Sequence, residues 1–209
     1  MPHYFDADPL APSDRKTITC RVNGINFEFV TDTNVFCRDE VDRGSMLLIE
    51  AAAEDIKAGG SRKDSKLLDL GCGWGAVGVI MKRLFMKFDV TSVDVNARAV
   101  ALTKENYALN NVKPYECKVS DVLADIDEGE MFDYVITNPP VRAGKKTVFM
   151  FYEQAFSHMK EGSSIYVVLQ RKQGAPSSEK KLNELFGNCE TLEISGGYRV
   201  MKATKESAD

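Results

Sequence analysis

Three places in this 209-residue chain combine side chains able to do chemistry with a backbone able to aim them. The first is Asn138-Pro139-Pro140, which ends the apolar run Phe132-Asp133-Tyr134-Val135-Ile136-Thr137. Proline fixes its own φ and holds the preceding residue extended, so the Asn138 amide is aimed by its backbone. The Pro139 carbonyl is followed by a nitrogen that carries no hydrogen. Two acceptors beyond the end of a strand suit an exocyclic amine, held by its N–H groups while its lone pair attacks an electrophile. An Asn-Pro pair also starts ordinary turns, so its weight depends on what lies upstream.

Upstream, Lys66-Leu67-Leu68-Asp69-Leu70 runs into Gly71-Cys72-Gly73-Trp74-Gly75 and an apolar stretch over 76–81. This reads as a strand, a glycine turn and a helix. Glycine lets a backbone turn tightly and approach a ligand closely. Gly71, Gly73 and Ala76 fit the dinucleotide fingerprint. Asp69 shifts that reading, because a carboxylate at the strand end repels a pyrophosphate and attracts an ammonium. The third place is Val90-Thr91-Ser92-Val93-Asp94, a second strand ending in an acid. It lies about twenty residues beyond the loop, where an acceptor for ribose hydroxyls belongs. A ligand with a ribose, an ammonium and no phosphates is S-adenosylmethionine. Asp69 is expected at its ammonium and Asp94 at its ribose hydroxyls, with Gly71, Cys72, Gly73, Gly75, Val95 and Asn138 as further cofactor contacts. Asp121, after the third strand, is expected to accept from the adenine amine, with the Val122 backbone reading the ring edge.

With those residues in view, the chain resembles the class I S-adenosylmethionine-dependent methyltransferases. Asp69 to Gly75, Asp94, Ser120-Asp121-Val122 and Asn138-Pro139-Pro140 carry that likeness. More narrowly, it is similar to the "methyltransferase small" domain of bacterial enzymes that methylate guanine N2 in small-subunit ribosomal RNA. Three stretches carry the narrower likeness: Phe36 to Ser45, Asn138 to Lys145, and Gly196 to Ala203. The resemblance covers the chain from Asp32 onward. It implies S-adenosylmethionine as cofactor, Asn138, Pro139 and Pro140 as the methyl-transfer residues, and Gly44 and Ser45 near them. The longest members of that family carry a degenerate duplicate of the domain at their N-terminus. This chain does not contain that copy, so target recognition supplied by it is not carried over.

The elements that must position these residues are legible in the pattern. Two alternating runs, 16–22 and 25–31, flank Asn23-Gly24, the strongest short hairpin signal. A helix is expected over 41–57, stopped by Gly59-Gly60. Beyond it come strand 66–70, helix 75–86, strand 89–94, helix 97–110 and strands 115–119 and 132–137. Helix 147–160, strand 164–169, helix 177–187 and strands 190–195 and 198–203 follow. Strands alternating with helices mean a mostly parallel sheet covered on both faces. Gly196-Gly197 between the last two strands implies an antiparallel hairpin. The expected architecture is α/β: a doubly wound, Rossmann-like, seven-stranded sheet with a C-terminal antiparallel hairpin and an N-terminal β-hairpin. One domain is expected over 1–209, with 1–14 poorly ordered, the hairpin over 15–31 and the catalytic core over 41–209.

Composition agrees with a globular domain, at 44% apolar and 28% charged residues. Nothing approaches the apolar run that spans a bilayer, and the first residues lack a secretory pattern. Five scattered cysteines without a C-x-x-C pair argue for reduced thiols, a cytoplasmic location and no metal site. A net charge of −4 excludes a general nucleic-acid coat. It leaves room for RNA wherever basic groups cluster. Arg142, Lys145 and Arg171 are expected at the carboxyl rim of the sheet, as contacts to RNA. Tyr4, Phe36, Phe149 and Tyr198 are candidates to stack on a target base. The reading is methyl transfer to an exocyclic amine of RNA, guanine N2 of small-subunit ribosomal RNA foremost, with ribosomal RNA or a ribosomal particle as the partner. A protein glutamine amide and adenine N6 remain as alternative acceptors. A nicotinamide-dependent oxidoreductase and a non-catalytic RNA-binding relative remain as alternatives of other classes. Oligomeric state is left open.

Overall fold

The computed structural model describes residues 12–60 and 64–206. Of the first fourteen residues, expected to be poorly ordered, 1–11 lie outside the described residues. Ser13 and Asp14 are tied down: the Ser13 hydroxyl and the Asp14 N–H donate to Asp32 at 2.7 and 2.6 Å. Asn23 and Gly24 adopt φ of 48° and 79°, the pair of left-handed residues a two-residue hairpin turn requires. They join β1 (Lys16–Val22) to β2 (Ile25–Thr31). Alternation along these strands buries Ile18, Val22, Phe27 and Phe29.

The exposed edge of β2 is closed by side chains rather than by a third strand. Asn106 accepts from Val30 N–H at 2.7 Å and donates to the Val30 and Trp74 carbonyls at 2.9 and 2.8 Å. One helical turn on, Asn110 exchanges the same pair of bonds with the Glu28 backbone. An unpaired strand edge is thereby satisfied. The hairpin is also fixed against Trp74, whose ring lies 5.0 Å from that of Phe29.

The rest of the chain alternates: α1 (Arg43–Ala58), β3 (Lys66–Leu70), α2 (Ala76–Leu84), β4 (Asp89–Asp94), α3 (Ala97–Leu109), β5 (Glu116–Val119) and β6 (Phe132–Thr137). It ends with α4 (Lys145–Ser157), β7 (Met159–Gln170), α5 (Ala175–Phe186), β8 (Glu190–Ser195) and β9 (Tyr198–Thr204). Seven strands form one sheet in the order β5-β4-β3-β6-β7-β9-β8. The first five are mutually parallel, and β9 runs antiparallel to both its neighbours. This is the expected Rossmann-like sheet with its terminal hairpin. Side chains alternate between two cores. Leu67, Val90, Ile136 and Tyr166 pack under α1, α2, α3 and the N-terminal hairpin. Leu68, Val93, Val135 and Ile165 pack under α4 and α5.

Strand order reverses between β3 and β6. In open α/β sheets such a switch point opens a crevice beyond the carboxyl ends of the strands. The glycine loop leaves β3 and Asn138 leaves β6, so both candidate groups face one crevice.

Two expected boundaries are corrected. The helix expected over 147–160 begins at Lys145 and ends at Ser157. Lys145 therefore sits in the first turn of α4 rather than in a loop. The strand expected at 164 begins at Met159, because Phe132 pairs with Met159 before the register shifts across a bulge.

Candidate active site

A cavity of about 540 Å³ occupies the crevice, within the range of small-molecule sites. Its wall contains Asp69, Gly71, Cys72, Gly73, Asp94, Val95, Asp121, Val122, Asn138, Pro139, Pro140, Arg142 and Ser45. The sequence-derived residues Gly44, Gly75, Lys145 and Arg171 are not part of that wall.

The glycine loop is shaped by backbone bonds. Gly71 and Cys72 both donate to the Val93 carbonyl at 2.9 Å. Gly73, at φ 55°, turns its N–H onto Asp94 Oδ2 at 2.9 Å; an L side chain rarely adopts that backbone. Asp94 Oδ1 accepts from Asn96 N–H at 2.8 Å. The carboxylate is thus fixed in place, with Val95 N–H as a further backbone donor, and it keeps acceptor capacity for a ligand. Burial pushes its pKa up from the ordinary value. Asn96, not Asp94, caps α3 by accepting from Arg98 N–H at 3.0 Å.

Asp69 sits at the floor of the cavity, 2% exposed. Its Oδ2 accepts from Gly78 N–H at 2.8 Å. Gly78 is the third residue of α2, so Asp69 satisfies a helix donor that has no partner within the helix. Burial pushes the Asp69 pKa up to about 7, Asp94 nearby adds to the rise, and the Gly78 bond opposes it. Cys72 is buried on the wall and its thiol is pushed far up by burial, which disfavours the reactive thiolate. Gly75 lies behind the loop at φ 92°, packed on Thr103; it shapes the turn and is no cavity residue.

After β5, Asp121 is exposed and Val122 is buried at φ 54°. A β-branched residue with positive φ is strained, and such strain gathers at ligand sites. Val95 and Val122 add apolar surface to the wall beside these acids.

On the other side of the crevice, Asn138 is clamped. Its Nδ2 donates to Asp42 Oδ2 at 3.1 Å and to Ser45 Oγ at 3.0 Å. The reverse orientation would set the amide oxygen against a carboxylate, so Oδ1 is the free atom. It has no hydrogen-bond partner among the described residues. Asp42 is itself anchored as the N-cap of α1, accepting from Ser45 N–H at 2.9 Å. Gly44 explains the close packing here: a Cβ at that position would lie 2.6 Å from the Tyr198 ring. The three stretches singled out by resemblance, around 36–45, 138–145 and 196–203, therefore meet in space.

One expectation about this turn is corrected. The Pro139 carbonyl does find an N–H: it accepts from Val141 at 2.8 Å. Pro140, at φ −74° and ψ 78°, closes an inverse γ-turn. One lone pair of that carbonyl is used and one remains.

Of the aromatic candidates, Phe36 and Tyr198 line the cavity. Phe149 packs against Tyr152 and beneath Lys145 and Lys181, and Tyr4 lies outside the described residues. The sequence reading overlooked Asp42 as a positioning residue and Trp74 as the link from loop to hairpin. An acid three residues before Ser45 at a helix start was the available signal for Asp42. Nothing local marked Trp74, whose indole N–H donates to the Phe36 carbonyl at 2.8 Å.

Four acids, Asp42, Asp69, Asp94 and Asp121, line the cavity, and Arg142 is the one base among its lining residues. That wall favours a cationic ligand and opposes a pyrophosphate. Among the described residues no group of three or more His, Cys, Asp or Glu could hold a metal. No described helix is long and apolar enough to cross a membrane.

Comparison with known proteins agrees with this geometry. The model of the methyltransferase small domain family matches residues 26–202. A Bacillus subtilis protein described as uncharacterized, YbxB, is 37% identical over 203 residues, covering 97% of this chain and 98% of its own length. The ribosomal RNA large subunit methyltransferase G of Shewanella denitrificans is 27% identical over 205 residues. That match covers 95% of this chain and 51% of the relative. Among solved structures, the T. thermophilus 16S rRNA N2 G1207 methyltransferase (RsmC) in complex with AdoMet and guanosine superposes with a TM-score of 0.84 at 28% identity. It is matched over 95% of this chain and 52% of that one. The chain thus spans nearly all of the Bacillus protein and about half of the two named ribosomal RNA methyltransferases.

Proposed function

This chain belongs to the methyltransferase small domain family, and from that premise we propose that it methylates an exocyclic amine of RNA, guanine N2 of ribosomal RNA, using S-adenosylmethionine. The observation that carries the reading is the cavity itself. Four acidic side chains line it, and Asn138, clamped through its nitrogen, stands on the same wall with its oxygen free.

Bound there, S-adenosylmethionine supplies an electrophilic methyl group. Asp69 receives the ammonium and Asp94 the ribose hydroxyls. Val95 and Val122 offer apolar surface to the adenine, and Asp121 accepts from its amine. Asn138 Oδ1 accepts one N–H of the target amine, and the remaining lone pair of Pro139 O accepts the other. Both acceptors also oppose the positive charge that grows on nitrogen as it bonds to carbon. Their main effect is to hold the amine in line, and such positioning can lower a barrier by about 7–11 kcal/mol at best. A general base is not required: the methylated amine is cationic and releases its proton to water. Neither described role of His158 bears on the reaction, since it ends α4 and bonds the Glu130 carbonyl.

Arg142, Lys145 and Arg171 stand as the RNA contacts. All three are exposed and form no ion pair among the described residues. Lys145 lies in the first turn of α4, where a cation opposes the helix dipole. A phosphate outside that turn would offset the mismatch.

The test pairs calorimetry with labelled methyl transfer. S-adenosylmethionine or S-adenosylhomocysteine binds, NAD does not, and label passes to RNA rather than to protein. NAD binding would revive the oxidoreductase. Label on a glutamine of a protein would replace the RNA substrate.

A further inference from the structure

We propose that Asp42 selects guanine: one carboxylate oxygen fixes Asn138, and the other accepts the ring N–H next to the target amine. The inference rests on the reading of guanine N2 above and names the group that makes the choice.

Three donors converge on Asp42, and all three use Oδ2. They are Ser45 N–H at 2.9 Å, Ser45 O–H at 3.4 Å and Asn138 Nδ2 at 3.1 Å. Oδ1 is left with no hydrogen-bond partner among the described residues, in a side chain that lines the cavity. The carboxylate is anchored through Oδ2, which caps α1 and bonds Asn138, and it packs with the Tyr198 ring around Gly44. Asp42 and Asn138, bonded to each other, thus each keep one free acceptor on side chains that line the same cavity.

The other cavity acids are placed differently. Asp69 binds the Gly78 backbone, Asp94 binds Gly73 and Asn96, and Asp121 follows β5 on the far side of the strand reversal. Asp42 is the acid that touches Asn138.

Two neighbouring acceptors match one edge among the amino-bearing bases. Guanine carries a ring N–H, at N1, directly beside its amine. Adenine and cytosine carry a ring lone pair in that position, which a carboxylate repels. The same oxygen thus attracts guanine and rejects the other two. A well-placed pair of base-edge bonds discriminates by about 1–3 kcal/mol, roughly five- to 150-fold. A site built to receive an N–H discriminates further when the donor is missing.

The experiment uses ribosomal RNA transcribed in vitro, labelled S-adenosylmethionine and nucleoside analysis, with wild type, Asp42→Asn and Ser45→Ala. Asparagine also caps helices well, so Asp42→Asn keeps α1 while turning an amide donor toward the base. Melting temperature and cofactor affinity confirm that each variant is folded. In Asp42→Asn, N2-methylguanosine falls at least about tenfold and label appears on adenine or cytosine amines that wild type leaves unlabelled. In Ser45→Ala, which loosens only the clamp, the rate falls and N2-methylguanosine remains the product. Wild-type N2-methylguanosine formation by Asp42→Asn overturns the proposal. So does a slower Asp42→Asn that still makes only N2-methylguanosine, since Asp42 would then be a scaffold. A wild type that labels no guanine defeats the proposed function as well, and that failure is visible before any variant is made.

Discussion

Asp69 holds its proton far up the pH scale because burial disfavours the carboxylate, with Asp94 adding to the effect. Its folded pKa of about 7 stands above the ordinary 3.8, so the folded state binds the proton more tightly than the unfolded chain does. The contribution of this group to stability is fully present below the unfolded value and is lost as pH rises through 7. Asp69→Asn retains an acceptor for Gly78 and removes the ionisation. Urea midpoints measured between pH 4 and pH 7.5 should therefore fall less steeply in the variant than in wild type. Parallel curves would mean that the buried carboxyl does not titrate there. An ammonium seated beside Asp69 favours the ionised form. Cofactor binding near pH 6.5 should then release a proton, seen as a buffer-dependent heat that Asp69→Asn lacks.

At the scale of elements, the site depends on how the hairpin and α1 are tied to the sheet. Asn106→Ala would leave the Val30 N–H and the Val30 and Trp74 carbonyls without a partner. An unsatisfied buried group costs about 1–3 kcal/mol, so the variant should lose at least about 2 kcal/mol by denaturant unfolding. A loss below about 0.5 kcal/mol would show that water replaces the amide and that the Asn106 bonds do not hold the hairpin. These ties also mark where sequence reading stops. The Asn23-Gly24 turn, the glycine loop and the strand–helix alternation were legible because each is encoded within a few residues. The long-range amide bonds of Asn106, the clamp of Asp42 on Asn138 and the packing of Tyr198 over Gly44 join segments about 30 to 150 residues apart. No local pattern records them. The early start of β7 was hidden for the same reason: Met159 and Lys160 extend the strand through Phe132 and Asp133 of a neighbouring strand. The early start of α4 follows from Gly144 at φ 95°, which turns the chain straight into the helix.

At the scale of the whole molecule, one strand reversal brings together loops that the chain separates, and charge is divided between cavity and rim. Acids dominate the cavity, with Arg142 the one base in its wall, whereas Lys145 and Arg171 stand outside it; all three bases follow β6 and β7 at the carboxyl edge. Neutralising all three should weaken RNA binding and make its salt dependence shallower, by about 0.7–0.9 in slope for each phosphate that is no longer neutralised. Cofactor affinity should be unchanged when only Lys145 and Arg171, which stand outside the cavity wall, are neutralised. An unaltered slope would mean that these groups are only solvated and that RNA is held elsewhere.

The central claim is that the clamped Asn138 amide presents an RNA amine for methylation. It is tested most directly by transfer of labelled methyl to ribosomal RNA, with wild type and Asn138→Ala side by side and the labelled nucleoside identified. The variant keeps the strand, the prolines and the cofactor loop, so cofactor affinity by calorimetry should match wild type. Wild type should place its label in N2-methylguanosine, and Asn138→Ala should do so about 10²–10³-fold more slowly, the usual loss on removing one preorganised polar group. Label on a carbon or an oxygen of the base, or a variant that works at the wild-type rate, would contradict the account.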